Sequence, residues 1–336
     1  MSSWKKCLTT LIPLAIVYVW FFIAHIPSHP KTLNVLGADA NITLYTQPNS
    51  GRQPLLDAIK SAQKEISVEM YLLSDKQIIA ALEDARARGL DVKVILEQHP
   101  FDSASLNTKS KQELDAKGVE TEWSDPAFAL THEKTIIIDA SEALILSQNL
   151  TASAFTKNRE YDVLDTNPLD VAEIQMIFFD DWKRTSFSPP ANSNIIESPD
   201  NSRSALTTLI TSATTTIDAE TEDIDDDNFI NSLIQKTKTV QVRLLVPTLS
   251  QVSSNNEALK RLATGGVDVK TISSPYMHAK MILEDDSKAY VGSINFSTQS
   301  MDQNREVGII LTQPDSLQTL ESTFETDWGD AQPFSK

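Results

Sequence analysis

The fold and the chemistry of this chain depend on residues 132–160, HEKTIIIDASEALILSQNLTASAFTKNRE. Residues 278–306, HAKMILEDDSKAYVGSINFSTQSMDQNRE, repeat its polar positions at an offset of 146 without insertion or deletion. Structural repeats usually share their apolar residues, so a repeat that keeps its polar residues indicates a doubled functional site. The shared pairs are His132 and His278, Lys134 and Lys280, Asp139 and Asp285, Ser147 and Ser293, Asn149 and Asn295, and Glu160 and Glu306.

These side chains are suited to an anionic phosphodiester. An imidazole can act as a nucleophile or as a general acid or base near neutral pH. A lysine ammonium suits a phosphate oxygen, Ser and Asn can donate hydrogen bonds to it, and a carboxylate can fix the imidazole tautomer. The doubled set predicts that one His attacks phosphorus and the other protonates the leaving oxygen, while Lys and Asn stabilise the equatorial oxygens.

A metal site fits the repeat poorly. Each motif has one His beside a cationic Lys, which repels a metal, and neither motif has CxxC or HxxxH spacing. Residues 218–227, DAETEDIDDD, are dense in carboxylates, but Ile234 stands where a calcium loop has its last glutamate. We expect a solvated acidic edge there, with calcium as the alternative. No metal and no cofactor is predicted for the reaction.

The doubled pattern resembles the signature of the phospholipase D superfamily, HxKxxxxD followed by GSxN. The second copy matches it in full, through residues 278–285 and 292–295, whereas the first copy has Leu146 in place of the glycine. The resemblance covers the chain from about residue 41 to its end. It implies an α/β fold of two tandem α-β-α sandwich domains, related by a pseudo-twofold axis, with one active site at their interface.

The resemblance also implies roles for the repeated residues. In the family an acidic residue near the NRE position orients the His, so Glu160 is expected to partner His132, and Glu306 to partner His278. The motif aspartates are expected to hold strand and turn together, and the symmetry leaves open which His is the nucleophile. The implied catalytic set is His132, His278, Lys134, Lys280, Glu160, Glu306, Asp139 and Asp285, and the implied phosphate-binding set is Asn149, Asn295, Ser147 and Ser293.

Helical and strand patterns alternate ahead of the first motif, which favours an α/β fold. Residues 198–213 repeat the pattern of residues 47–62 at an offset of 151. Between the copies, SFSPPANSN is a turn-rich linker, and we place the boundary near residue 190. The predicted domains are residues 41–188 and 195–336.

The N-terminus reads as a membrane anchor. Residues 7–24, CLTTLIPLAIVYVWFFIA, carry no charge, follow two lysines, and form a run about long enough to cross a bilayer. We therefore expect residues 1–30 to anchor the chain in the membrane with the catalytic part extracytoplasmic. A cleaved signal peptide, giving a secreted protein, is the alternative.

The composition of the chain limits the classes of substrate that it is expected to bind. The 336 residues carry a net charge of −17 with pI about 4.7, which disfavours nucleic acid because an acidic chain does not attract a polyanion. The single cysteine, Cys7, excludes a disulfide framework within the chain.

The predicted function is hydrolysis of a phospholipid to phosphatidate plus alcohol through a phosphohistidine, by a monomer. The alternatives are phosphatidyl transfer of the cardiolipin-synthase type, an extracytoplasmic nuclease, and a catalytically silent anchored binding protein.

Overall fold

A computed structural model describes residues 42–101, 103–186, 188, 190 and 193–335. The first half forms one sheet in the order β1-β7-β6-β5-β2-β3-β4, in which β2, β3 and β4 run parallel and the other neighbours antiparallel. Its elements are β1 (Ile42–Gln47), α1 (Gln53–Ser61), β2 (Glu65–Met70), α2 (Lys76–Ala87), β3 (Asp91–Leu96), α3 (Ala104–Ala116), β4 (Glu120–Trp123), β5 (Lys134–Ile138), β6 (Glu142–Leu146), β7 (Asn158–Asp165) and α4 (Pro168–Lys183).

The second half repeats this architecture in the order β16-β11-β10-β9-β13-β14-β15-β8. A short 3₁₀ turn, Ser253–Asn255, precedes its third helix. Its elements are β8 (Ile195–Ser198), α5 (Ser202–Ser212), β9 (Thr216–Thr221), α6 (Asp227–Lys236), β10 (Gln241–Pro247), α7 (Asn256–Thr264), β11 (Asp268–Ile272), β12 (Tyr276–Met277), β13 (Lys280–Glu284), β14 (Lys288–Gly292), α8 (Thr298–Asp302), β15 (Glu306–Leu311), α9 (Pro314–Asp330) and β16 (Gln332–Pro333). The predicted α/β fold of two similar halves is confirmed.

Local sequence explains where the elements begin and end. The side chain of Asp75 accepts hydrogen bonds from the first backbone N–H groups of α2, and Gly89 follows that helix with a positive φ of 95°. Asp226, at the equivalent position of the second half, caps α6 in the same way. The central strands β5 and β13 are buried along their whole length, which explains their continuous apolar runs.

An apolar cluster shared by the two halves fixes their relative placement. It contains Ile137 and Val163 from the first sheet, Met281 and Val291 from the second, and side chains of α4 and α9. Each sheet also has its own cluster under the remaining helices. Burial of this area from water holds the two sequence motifs against each other.

The predicted membrane-anchored, extracytoplasmic localisation requires correction. Across the part of the chain that the structure describes, no helix is long and apolar enough to cross a membrane. The helix α9 has 17 residues and includes Asp315 and Glu321, whereas a span takes about 20 mainly apolar residues. Residues 7–24, on which the prediction rested, lie outside the described residues.

Candidate active site

Each histidine-bearing segment pairs with the sheet of the other half. The strand β12, directly before His278, runs parallel to the start of β7, with Tyr276 opposite Asn158. On the other side Thr131, directly before His132, forms a parallel bridge with Arg305. The N–H of His132 donates to Arg305 O at 2.8 Å, and that of His278 to Arg159 O at 3.3 Å. This exchange of backbone pairing places each histidine beside the glutamate of the opposite half.

The histidine–glutamate pairs therefore cross between the halves. The Nδ1 atom of His132 lies 2.8 Å from Oε2 of Glu306, and Nδ1 of His278 lies 2.8 Å from Oε1 of Glu160. The expected pairing of Glu160 with His132 and of Glu306 with His278 is wrong. Its physical reason is that each glutamate lies at or near the start of a strand, where the histidine segment of the other half pairs in parallel.

Both glutamates are buried and held as charged acceptors. Burial alone would raise the pKa of Glu306, but the nearby His132 and Lys134 keep that pKa below its usual range. The pKa of Glu160 is lowered in the same way, against burial, by His278 and Lys280. A carboxylate on Nδ1 fixes the tautomer of each imidazole and leaves Nε2 as the nitrogen available to a substrate.

Each motif lysine donates a hydrogen bond to the backbone of the histidine in its own motif. The Nζ atom of Lys134 donates to the carbonyl of His132 at 2.6 Å, and Lys280 donates to the carbonyl of His278 at 2.6 Å. Burial lowers the pKa of Lys134 to about 7, although the charge of Glu306 opposes that shift. An ammonium has three donors, so Lys134 keeps hydrogen atoms for a phosphoryl oxygen beyond the one that it gives to this carbonyl.

The two asparagines face cavities on either side of the histidines. Asn149 lines a cavity of about 650 Å³ together with His278, and Asn295 lines one of about 200 Å³ together with His132. The Oδ1 atoms of both asparagines are buried without a hydrogen-bond partner among the described residues. Each asparagine therefore lines the cavity that contains the histidine of the opposite half.

The match to known families covers both halves. The family model described as cardiolipin synthase, PLD-like domain, matches residues 55–182 and 206–328. The chain belongs to the phospholipase D superfamily, whose members act on phosphodiesters.

Two curated relatives and one solved structure show how this phospholipase D superfamily member compares. It is 31% identical over 168 residues to "Phospholipase D" of Rickettsia bellii, covering 48% of this chain and 78% of that protein. It is 22% identical to "Cardiolipin synthase 1" of Bacillus anthracis, covering 87% of this chain and 67% of that protein. Phosphatidylserine synthase from Haemophilus influenzae shares the fold at TM-score 0.66 and 12% identity, covering 87% of each chain.

In this superfamily member the motif aspartates lie outside the catalytic cluster. Asp139 and Asp285 follow the ends of β5 and β13 that are farthest from the lysines. Asp139 accepts hydrogen bonds of 2.7–3.0 Å from the backbone N–H groups of residues 63–65, and Asp285 does so from residues 214–216. We therefore remove both aspartates from the predicted catalytic set. Their carboxylates hold the turn against the next strand.

The motif serines, which were expected to bind phosphate, are instead hydrogen-bonded within the protein. Ser147 is fully buried, and its Oγ donates to Glu160 at 2.7 Å while it accepts from the N–H of Tyr161. Ser293 is equally buried, and its Oγ exchanges hydrogen bonds with the backbone of Val307. Both hydroxyls are occupied within the sheets, so they position the glutamate strands instead of binding phosphate.

Sequence reasoning missed Glu222. Its Oε2 atom lies 3.3 Å from Nε2 of His278 and 3.5 Å from Nζ of Lys280, and its Oε1 accepts a 2.6 Å hydrogen bond from the hydroxyl of Tyr276. Burial opposes the charge, but His278 and Lys280 lower the pKa of Glu222 to about 2. The expected solvated acidic edge is wrong here, because Glu222 faces the catalytic cleft. One sequence feature could have identified it. Glu222 directly follows the strand β9 and is the counterpart of Tyr71 in the repeat, at an offset of 151.

Proposed function

We propose that this chain is a phospholipase D-type phosphodiesterase that hydrolyses a phospholipid to phosphatidate and an alcohol. The observation that carries the proposal is the crossed pairing of two histidines with two buried glutamates. Each carboxylate holds Nδ1 of its histidine at 2.8 Å, and a lysine donates to the backbone carbonyl of each histidine. Two such groups are what a double displacement at phosphorus needs.

The reaction has two balanced steps. The Nε2 atom of one histidine attacks phosphorus, the bond to the leaving oxygen breaks, and that oxygen takes a proton from Nε2 of the other histidine. The second histidine then removes a proton from water, whose oxygen attacks phosphorus and breaks the phosphorus–nitrogen bond. Lys134, Lys280, Asn149 and Asn295 stabilise the equatorial oxygens in both steps.

The surroundings of the cleft support a phospholipid over a nucleic acid. Asp223 and Asp225 line the cavity beside His132, and their charges repel a polyanion. Phe101 is 82% exposed and its N–H donates to the hydroxyl of Tyr71, which also lines that cavity, while Leu106, 41% exposed, lines the cavity beside His278. Apolar side chains at a cleft opening suit acyl chains.

Phosphatidyl transfer is the second candidate. It uses the same covalent intermediate, with an acceptor alcohol in place of water. The match to the cardiolipin synthase family model and the cardiolipin synthase relatives favour it. Since one chain contributes both histidines, we propose that a monomer is sufficient for either reaction.

The test is product analysis from vesicles of phosphatidylcholine and of phosphatidylglycerol in the presence of a chelator. Wild type is compared with His132→Ala, His278→Ala and the exposed control Glu257→Gln, and a short DNA duplex is incubated in parallel. We expect phosphatidate and free alcohol from wild type and control, and a loss of about 10³-fold or more in both histidine variants. Cardiolipin as the main product would establish transfer instead. Cleavage of DNA alone, or no product from any substrate, would refute the proposal.

A further inference from the structure

The two halves of the site differ in charge at one position that lies beside each histidine. Tyr71 and Glu222 each follow the strand residue that pairs with the motif lysine, since Met70 is opposite Lys134 and Thr221 is opposite Lys280. Tyr71 and Glu222 therefore occupy the same place over the two histidines. One is a neutral aromatic residue and the other is an anion.

At the second histidine this position adds a carboxylate. His278 has Glu160 at 2.8 Å from Nδ1 and Glu222 at 3.3 Å from Nε2. An imidazole can donate to two carboxylates only when both of its nitrogens carry hydrogen. The ammonium of Lys280, 3.4 Å from Nδ1, opposes the second proton, but it is itself 3.5 Å from Glu222 and donates to a backbone carbonyl. The ring of His278 thus has a carboxylate at each nitrogen and one ammonium beside it.

At the first histidine the same position adds no charge. The ring of Tyr71 meets that of His132 edge to face, with centroids 4.6 Å apart. Nδ1 of His132 is paired with Glu306, and Lys134 and Lys280 are the nearby cations. Burial lowers the pKa of His132 to about 4, although Glu306 opposes the shift. The lone pair on Nε2 of a neutral His132 is then available for attack.

We propose that Glu222 makes the two halves unequal: it holds His278 as the imidazolium that protonates the leaving alcohol, which assigns His132 as the nucleophile. This inference rests on the proposed function and assigns the two roles that the repeat leaves open. Glu222 is a positioning residue, because it acts through His278.

The assignment orders the proton transfers. Nε2 of His132 attacks phosphorus, and the leaving oxygen displaces the carboxylate of Glu222 from Nε2 of His278 and takes that proton. Glu222 keeps its hydrogen bond from Tyr276 during this exchange. In the second step the neutral His278 takes a proton from water, whose oxygen attacks phosphorus as the bond to His132 breaks.

Protonation can be measured without turnover. The full chain, labelled with ¹⁵N in its histidine rings, is examined by NMR near neutral pH, with signals assigned through His132→Ala and His278→Ala. We expect His278 to be protonated on both nitrogens in wild type and on one nitrogen in Glu222→Gln, whereas His132 keeps one unprotonated nitrogen in both. An unprotonated nitrogen on His278 in wild type, or no change on substitution, would overturn the proposal.

Two ester substrates then distinguish a role of Glu222 in acid catalysis from a role in folding. Phosphatidylcholine has a poor leaving alcohol that needs a proton, whereas phosphatidyl p-nitrophenol has a leaving group that departs without one. Glu222→Gln should slow the first by about 10²-fold and the second by less than about threefold. Glu257→Gln is the control for loss of an exposed carboxylate. Equal slowing of both esters would indicate a merely structural role and overturn the proposal.

Covalent trapping completes the test. With the p-nitrophenyl ester, His278→Ala should accumulate a phosphohistidine that peptide mapping places at His132, and His132→Ala should form none. An adduct at His278 would overturn the assignment. If wild type cleaves neither ester, the proposed function fails, whereas the NMR experiment still decides whether Glu222 controls the protonation of His278.

Discussion

Nδ1 of His132 lies 2.8 Å from Oε2 of Glu306, so the carboxylate that orients the first histidine belongs to the second half of the chain. Buried ion pairs cross in the same direction: Arg305 donates to Asp181 at 2.9 Å, and Arg159 donates to Asp327 at 2.9 Å. Neither half thus contains a histidine together with its own acceptor. The intact site exists only when the two sheets are packed together.

Crossed pairing predicts which imidazole responds to each glutamate. Replacing Glu306 with Gln removes the charged acceptor of His132, so the ¹⁵N signals of His132 should change while those of His278 stay in place. Glu160→Gln should do the reverse. Each substitution should lower kcat by about 10²-fold or more, because the imidazole loses its fixed tautomer. A response confined to the histidine of the same half would contradict the crossed geometry.

The linear repeat predicts the candidate reacting residues but could not identify their partners. Equal spacing within each copy suggests that Glu160 serves His132, since both belong to one motif. The crossing depends on β12, a strand of two residues that joins the sheet of the other half. So short a strand has no periodic pattern, and its partner is chosen by packing between the halves.

Residue type alone was also a poor guide to burial and local charge. A serine at this motif position suits phosphate, but Ser147 is fully buried and already paired with Glu160. Glu222 lies within an acidic run of the kind that is usually solvated, and only the fold shows that it faces His278. The apolar and turn patterns did predict the alternating helices and strands, because those depend on local sequence.

Lys134 predicts an alkaline limit to activity. Burial lowers its pKa to about 7, so its ammonium loses its charge as the pH rises through that value and no longer stabilises the phosphoryl oxygens. We expect kcat/KM to fall by about tenfold per pH unit well above that value. The measurement is a rate profile on a neutral, non-ionising leaving alcohol, with circular dichroism as the check that the fold persists. A flat profile across the alkaline range would contradict this role for Lys134.

Asp285 predicts a loss of stability without a matching loss of chemistry. Its carboxylate accepts from three consecutive backbone N–H groups, with its own φ at a positive 50°. Asp285→Asn should lower the free energy of unfolding by about 1–2 kcal/mol, because the amide replaces one acceptor oxygen with a donor. Urea unfolding measures this, and kcat at low temperature should change by less than about threefold. A large loss of kcat in a stably folded variant would restore a catalytic role.

The contact between Tyr290 and Gly308 predicts a compensating pair of substitutions. A Cβ added to Gly308 would overlap the ring of Tyr290, whereas the first half has Leu144 and Asp162 at these positions. Gly308→Ala should therefore destabilise the protein by about 2 kcal/mol, through overpacking. In the background of Tyr290→Leu the same change should cost at least about 1 kcal/mol less, as a double-mutant cycle of urea unfolding would measure. Additive effects would show that the ring does not limit the space.

The buried carboxyl cluster of Glu69, Glu133 and Asp181 predicts an unusual pH dependence of stability. Their carboxylate oxygens approach within 4.8 Å of one another, and Arg305 is paired with Asp181 beside them. Burial first, and then the charge of Asp181, raises the pKa of Glu133 to about 8. A carboxyl with a raised pKa binds its proton more tightly in the folded state than in the unfolded state. Its contribution to stability is therefore complete below about pH 4.5 and is lost as the pH rises through about 8.

Glu133→Gln should consequently flatten the decline in the free energy of unfolding between mildly acidic and mildly alkaline pH. Its effect should change sign along that range: the neutral amide is the poorer partner where Glu133 is protonated and the better one where Glu133 would be ionised. Urea unfolding at several pH values measures the slope. Glu257→Gln, which removes an exposed carboxylate paired with Lys260, is the matched control and should leave the slope unchanged. The same slope in wild type and Glu133→Gln would mean that Glu133 is ionised in the folded protein, and that Arg305 compensates its charge.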